Sequence, residues 1–113
     1  MTEQRHLPYG PDGAHRLDLY RPSQPAGSLL LYFHGGGLEG GDKADLDRMP
    51  ELLTESGITL ASANYRMYPQ ARFPDYVDDC ARAAAWAAQY AQGQKGLSRL
   101  YIGGSSAGAY LAM

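Results

Sequence analysis

Near its end the chain reads "RLYIGGSSAGAYLAM", residues 99–113, and sets two serines among glycines. Gly104, Ser106 and Gly108 fit the spacing G-x-S-x-G. That spacing serves a sharp strand-to-helix turn that lifts a serine hydroxyl above a sheet. The apex residue is held in a strained backbone, and glycines two before and two after remove Cβ atoms that would clash. "RLYI" reads as the strand, and a helix is expected to open at Ser106. That helix would offer a free N–H at Ala107 and a dipole suited to negative charge. Gly103, Ser105 and Ala107 form a rival G-x-S-x-A, so Ser105 is a second candidate in the same turn. Two flanking glycines favour Ser106. A turn of small residues without chemistry is the remaining reading.

A second glycine cluster, "HGGGLEGGDK" at 34–43, follows the apolar run "SLLLYF". In one reading its backbone N–H groups face a reacting carbonyl. Gly36 and Gly37 would donate to a developing oxyanion, joined by the N–H of Ala107. Each such donor is worth a few kcal/mol, on the order of a hundredfold in rate. His34 would then orient the loop, beside Gly35, and not act as a base. In the other reading Gly35, Gly37 and Gly40 form the G-x-G-x-x-G of a dinucleotide site. That fingerprint needs an acidic residue ~20 positions on, at the end of the next strand. Asn64 stands there instead, and a hairpin precedes the supposed first strand, so the oxyanion reading is preferred.

The rest of the chain supplies elements to carry these two loops. Residues 6–22 read as a hairpin around the turn "PDG". "SLLLYF" at 28–33 and "ITLASANY" at 58–65 read as strands buried on both faces. Asp42 is expected to cap a helix running to Ser56, which Gly57 ends. Pro74 and Asp75 suit the first turn of a helix to about Gln92. Cys80 is expected on its buried face with Val77, Ala84 and Ala88, as an inert thiol. Trp86 and Tyr90 are read as packing on the sheet. His6 and His15 are read as surface residues of the hairpin. Strands alternating with helices at this spacing indicate an α/β sheet with helices on both faces, in one unit spanning residues 1–113.

Composition narrows the partners. The 113 residues are 44% hydrophobic with a net charge of −2, and no Lys/Arg run occurs, so neither nucleic acid nor a membrane is expected as partner. One cysteine excludes an internal disulfide and suits a reducing compartment. No signal-peptide core and no run of ~18 apolar residues is present, so the expectation is a cytoplasmic protein. No cofactor is expected, and no His/Cys/Asp/Glu group has metal-ligand spacing.

Together these residues resemble the α/β-hydrolase fold, and more narrowly its hormone-sensitive-lipase-like and BD-FAE-like esterases. Four segments carry the likeness in the family's order. "LDLYRP" at 17–22 is similar to its second strand, and "YFHGGGLEGGDK" at 32–43 to its oxyanion loop. "NYRMYPQARFPDYVDD" at 64–79 is similar to its Tyr-Arg-x-x-Pro segment. "GGSSAG" at 103–108 is similar to its nucleophile elbow, where the family often has Asp in place of Ser105. The resemblance implies Ser106 as nucleophile and Gly36, Gly37 and Ala107 as the oxyanion hole. It implies that Arg66 and Asp79 are structural, the arginine anchoring a loop to a helix carboxylate. The substrate it implies is a small-molecule ester.

The family's triad runs Ser, Asp or Glu, then His along the chain. The histidines here, at 6, 15 and 34, all precede Ser106. Without a base a serine hydroxyl is a poor nucleophile at neutral pH. The family's sheet also has more strands than the five expected here, so "RLYI" would be an apolar edge open to self-association. The sequence is therefore read as an incomplete α/β-hydrolase fold, the N-terminal part of an esterase. The alternative is a chain without catalysis of its own, an inactive product or binding module.

Overall fold

The structure, a computed structural model, describes residues 1–35, 41–67, 74–94 and 97–104. Five strands form one mixed sheet: β1 (Thr2–Pro8), β2 (Arg16–Arg21), β3 (Ser28–Phe33), β4 (Thr59–Ala63) and β5 (Arg99–Gly104). Their spatial order is β1-β2-β4-β3-β5. β1–β2 and β2–β4 are antiparallel, whereas β4–β3 and β3–β5 are parallel. Helix α1 (Met49–Glu55) joins β3 to β4, and α2 (Asp75–Gly93) joins β4 to β5. The chain moves from β3 to one side, then crosses back over β3 to reach β5. Crossovers of one hand running in opposite directions put their helices on opposite faces of a sheet.

The side-chain alternation of the strands matches those two covers. Leu17, Leu19, Leu29, Leu31, Phe33, Ala61 and Ala63 face α2, and pack with Tyr76, Cys80, Ala83 and Ala87. Tyr20, Tyr32 and Leu60 face the other way, where Leu46 and the α1 residues Met49 and Leu53 meet them. Each fully buried leucine contributes about 1.5–3 kcal/mol. The alanines of α2 let its backbone lie close to the strands. Among the described strands β5 forms the edge opposite β1, and its Tyr101 and Ile102 are exposed.

Four expectations change. The hairpin strand begins at Thr2, not at His6, and His6 has φ 60° beside a bulge between Gln4 and Leu7. The helix expected from Asp42 starts only at Met49. Pro50 explains this: inside a longer helix it would lack its hydrogen bond and clash, whereas at the first turn it is preset for helix. Asp47, at φ 50°, also breaks any helical run before it. Gly57 does end α1, with φ 81° and the paired bonds Gly57 N–H to Thr54 O and Ile58 N–H to Leu53 O. A Cβ there would sit 2.9 Å from the Ala26 methyl. In α2 the buried stripe is Tyr76, Asp79, Cys80, Ala83 and Ala87, while Val77 is exposed. An alanine-rich helix allows either neighbouring stripe, and the partners of Asp79 decide between them.

His15 is the fourth correction, because it is buried and not at the surface. Its Nδ1 accepts the Asp12 N–H at 3.1 Å, so the ring proton sits on Nε2 and is donated to Asp79 Oδ1 at 2.7 Å. The same carboxylate accepts Arg66 N–H at 2.7 Å and the Arg66 guanidinium at 2.8 Å and 3.0 Å. The expected structural role of Arg66 and Asp79 is therefore met, with a histidine added to it. Burial alone would raise the Asp79 pKa, but bonds from the Arg66 side chain and backbone and from His15 outweigh it and hold the carboxyl below its usual range. Cys80 next to it is pushed up to about 12 by burial and then by Asp79, so its thiol stays protonated.

A carboxyl with a lowered folded pKa stabilises the fold above its unfolded value, ~3.9, and the contribution disappears as pH falls through the folded value. Asp79→Ala takes the acceptor from the buried His15 ring and from the partly exposed Arg66 guanidinium, and is expected to cost about 1–3 kcal/mol at pH 7 in urea unfolding. The gap to the unaltered protein should narrow below pH ~4, where protonation removes the same charge. A pH-independent gap would contradict this origin of the stability.

Candidate active site

The three parallel strands end level with one another. Phe33 of β3 pairs with Ala63 of β4 on one side and with Gly104 of β5 on the other. The hairpin turn between β1 and β2 lies at this same end, since Leu17 pairs with Ala63. Segments leaving parallel strands at their carboxyl ends are where α/β sheets place ligands. Here those segments are His34–Gly35 after β3 and Asn64–Arg66 after β4, with Gly104 at the end of β5. Of the candidate residues, His34, Gly35 and Gly104 are described. Gly36, Gly37, Ser106, Ala107 and Gly108, and the helix expected at Ser106, lie outside the described residues.

His34 is almost fully buried. Its Nδ1–H donates to the Gly35 carbonyl at 2.7 Å, which leaves Nε2 as an acceptor without a partner among the described residues. Its own carbonyl accepts the Tyr65 hydroxyl at 2.8 Å, and its ring stacks on Tyr65 at 4.5 Å and 15°. Burial pushes the Tyr65 phenol up to about 12, so it remains a donor at neutral pH. These contacts anchor His34 and Gly35 at the end of β3. Gly41 closes the other end of that loop. It has φ 88°, and a Cβ there would lie 2.4 Å from Gly35 O and 2.8 Å from His34 Nδ1.

The chain after Gly41 is bound down by polar groups, of which Lys43, Ser62 and Asp18 were not singled out from the sequence. Asp42 forms a tight turn in place of a helix cap, accepting the Ala44 N–H at 2.9 Å, and burial is outweighed by that bond and by Asn64 to lower its pKa. Lys43 is buried, with Nζ 3.0 Å from Asp18 Oδ1. Ser62 Oγ donates to the Lys43 carbonyl at 2.7 Å. Asn64 accepts the Lys43 N–H at 2.8 Å, donates to Asp42 Oδ1 at 3.0 Å, and receives the Tyr9 hydroxyl on its carbonyl. Asn64 therefore spends its amide on the loop. It is not the ribose-binding group a dinucleotide site needs. Asp18 carried a signal, as a carboxylate in the apolar strand "LDLY". Tyr65 stands in the run read as a buried strand and opens the Tyr-Arg-x-x-Pro segment, though nothing there marked its partner, and nothing in the local pattern marked His15.

A family model described as alpha/beta hydrolase fold matches residues 30–113. The chain belongs to the α/β-hydrolase family. Within it the likeness is to esterases. An acetyl esterase of Salmonella schwarzengrund is 33% identical over 108 residues, which cover 94% of this chain and 32% of that protein. The esterase of Pyrobaculum calidifontis is 33% identical over 86% of this chain and 33% of its own, with a TM-score of 0.75. A bacterial heroin esterase is 30% identical over 98% of this chain and 36% of its own, with a TM-score of 0.72. The chain thus spans roughly a third of the length of these relatives. Among its described residues no helix is long and apolar enough to cross a membrane.

In this α/β-hydrolase the contact of Gly41 with the start of the glycine loop is a steric test of the site. Gly41→Ala must relax both a positive φ and an overlap with backbone. We expect it to cost about 1–3 kcal/mol in thermal unfolding. An unchanged melting temperature would show that the Gly35–Gly41 contact imposes no need for glycine.

Proposed function

We propose that residues 1–113 are the N-terminal part of a serine carboxylesterase-type hydrolase acting on small acyl esters. Ser106 is its nucleophile, and the N–H groups of Gly36, Gly37 and Ala107 receive the oxyanion. The observation that carries this reading is the register of β3 with β5. It sets His34–Gly35 and Gly104, the lead-ins to the two glycine motifs, on neighbouring strands at the same end of the sheet.

In this reading Ser106 Oγ attacks the ester carbonyl and its proton passes to a base. The carbonyl electron pair moves onto oxygen, where backbone donors stabilise it. Collapse of this intermediate breaks the bond to the alcohol, which leaves with the proton and leaves an acyl-serine. Water then attacks the acyl group, the carboxylic acid departs, and the serine hydroxyl is restored. The base is not His15, whose two nitrogens hold Asp79 and the Asp12 N–H. His34 spends Nδ1 on the Gly35 carbonyl. The acid and histidine of the triad are therefore assigned to a part of the protein that follows residue 113, in the order Ser, acid, His.

The test is hydrolysis of p-nitrophenyl acetate by the full-length protein. Ser106→Ala is expected to lower kcat by at least about a thousandfold, and Ser105→Ala to leave activity within a few-fold. Residues 1–113 alone should hydrolyse no more than the residual rate that an oxyanion hole supplies. Full activity in Ser106→Ala would refute the assignment.

A further inference from the structure

We propose that Tyr65 is a positioning residue for this hydrolysis, fixing through its hydroxyl and its ring the peptide from which the oxyanion loop departs. The inference rests on reading the glycines after His34 as oxyanion donors. Tyr65 leaves β4 directly beside the end of β3 and is itself buried. Two contacts tie it to His34: the 2.8 Å bond from its hydroxyl to the His34 carbonyl, and the 4.5 Å ring stack. Phe33 meets the same ring edge-on at 6.5 Å and 69°, so the phenol has little freedom. On the other side of Tyr65, Arg66 is bound through its N–H and guanidinium to the buried Asp79. A continuous set of bonds therefore runs from α2 through Arg66 and Tyr65 to His34.

His34 passes that restraint on. Its Nδ1–H holds the Gly35 carbonyl at 2.7 Å. A trans peptide sets its N–H opposite its C=O, so a hold on the Gly35 carbonyl is a hold on the donor that follows it. A flip of the His34 ring would break the bond to Gly35. The stack on Tyr65 opposes the flip, and the hydroxyl fixes the backbone from which the ring projects. Tyr65 touches no reacting atom in this account. It acts by keeping donors aimed at a charge that appears only in the transition state, and so its effect belongs in kcat and not in substrate binding.

Tyr65→Phe keeps the ring and removes only the hydroxyl. With p-nitrophenyl acetate and the full-length protein, assayed well below the melting temperature of the variant, we expect kcat to fall about tenfold with KM within twofold. A 3-fluorotyrosine incorporated at position 65 keeps the donor and should retain the kcat of the unaltered protein. An unchanged kcat in Tyr65→Phe, or a loss confined to KM, overturns the inference, because a merely structural hydroxyl would lower only the melting temperature. Ser106→Ala is run alongside. If it remains active, the reading of the site fails. If it is inactive while Tyr65→Phe is fully active, only the role of Tyr65 fails.

Discussion

Phe33 and Gly104 face each other across the parallel pair β3–β5, and this one register governs what the end of the sheet can do. Strand pairing has a period of two, so a slip of one residue would turn every side chain of β3 to the wrong face. Leu29, Leu31 and Phe33 would lose α2, and Tyr32 would lose the α1 side. The packing of the core therefore fixes the register. The register in turn fixes where the two glycine motifs leave the sheet. The placement of the two lead-ins, Gly35 and Gly104, is tied here to burial of apolar side chains along β3.

A second restraint holds the segments that leave the strands. Asp79 is a fully buried carboxylate, and its partners come from the hairpin turn, through His15, and from the segment after β4, through Arg66. Burying a charge is costly unless it is paired and bonded, and this one is both. On the opposite face the Lys43–Asp18 pair does the same for the return of the glycine loop. The end of the sheet carrying the loops is thus polar inside and closed by bonds. Two surface hollows lie at the other end, one against Pro22, Glu51 and Thr54, the other against Pro22, Thr59 and Tyr90. Neither adjoins the strand ends where the glycine motifs begin.

Much of the fold was legible in the sequence because burial leaves a pattern. "SLLLYF" and "ITLASANY" announce strands covered on both faces, and Gly57 announces the end of a helix. The start of α1 was misjudged because Asp42 satisfies a cap and a tight turn equally well, and Pro50 carried the deciding information. The stripe of α2 was ambiguous because its apolar face is mostly alanine. His15 was out of reach for a different reason. Its partner is 64 residues away, and a histidine beside a "PDG" turn has no periodicity to betray burial. Tyr65 ends the run "ITLASANY", so its burial was legible, whereas its bond to the His34 carbonyl, 31 residues away, was not. The glycine clusters were visible as composition, and at Gly41, with φ 88° against the Gly35 carbonyl, backbone constraint does show as glycine.

The account stands on Ser106 being the residue that the two loops serve. Labelling the full-length protein with a fluorophosphonate, followed by tandem mass spectrometry of the peptide that begins at Leu100, reads this directly. The adduct is predicted on Ser106. An adduct on Ser105, or none on this peptide while the protein hydrolyses esters, would contradict it.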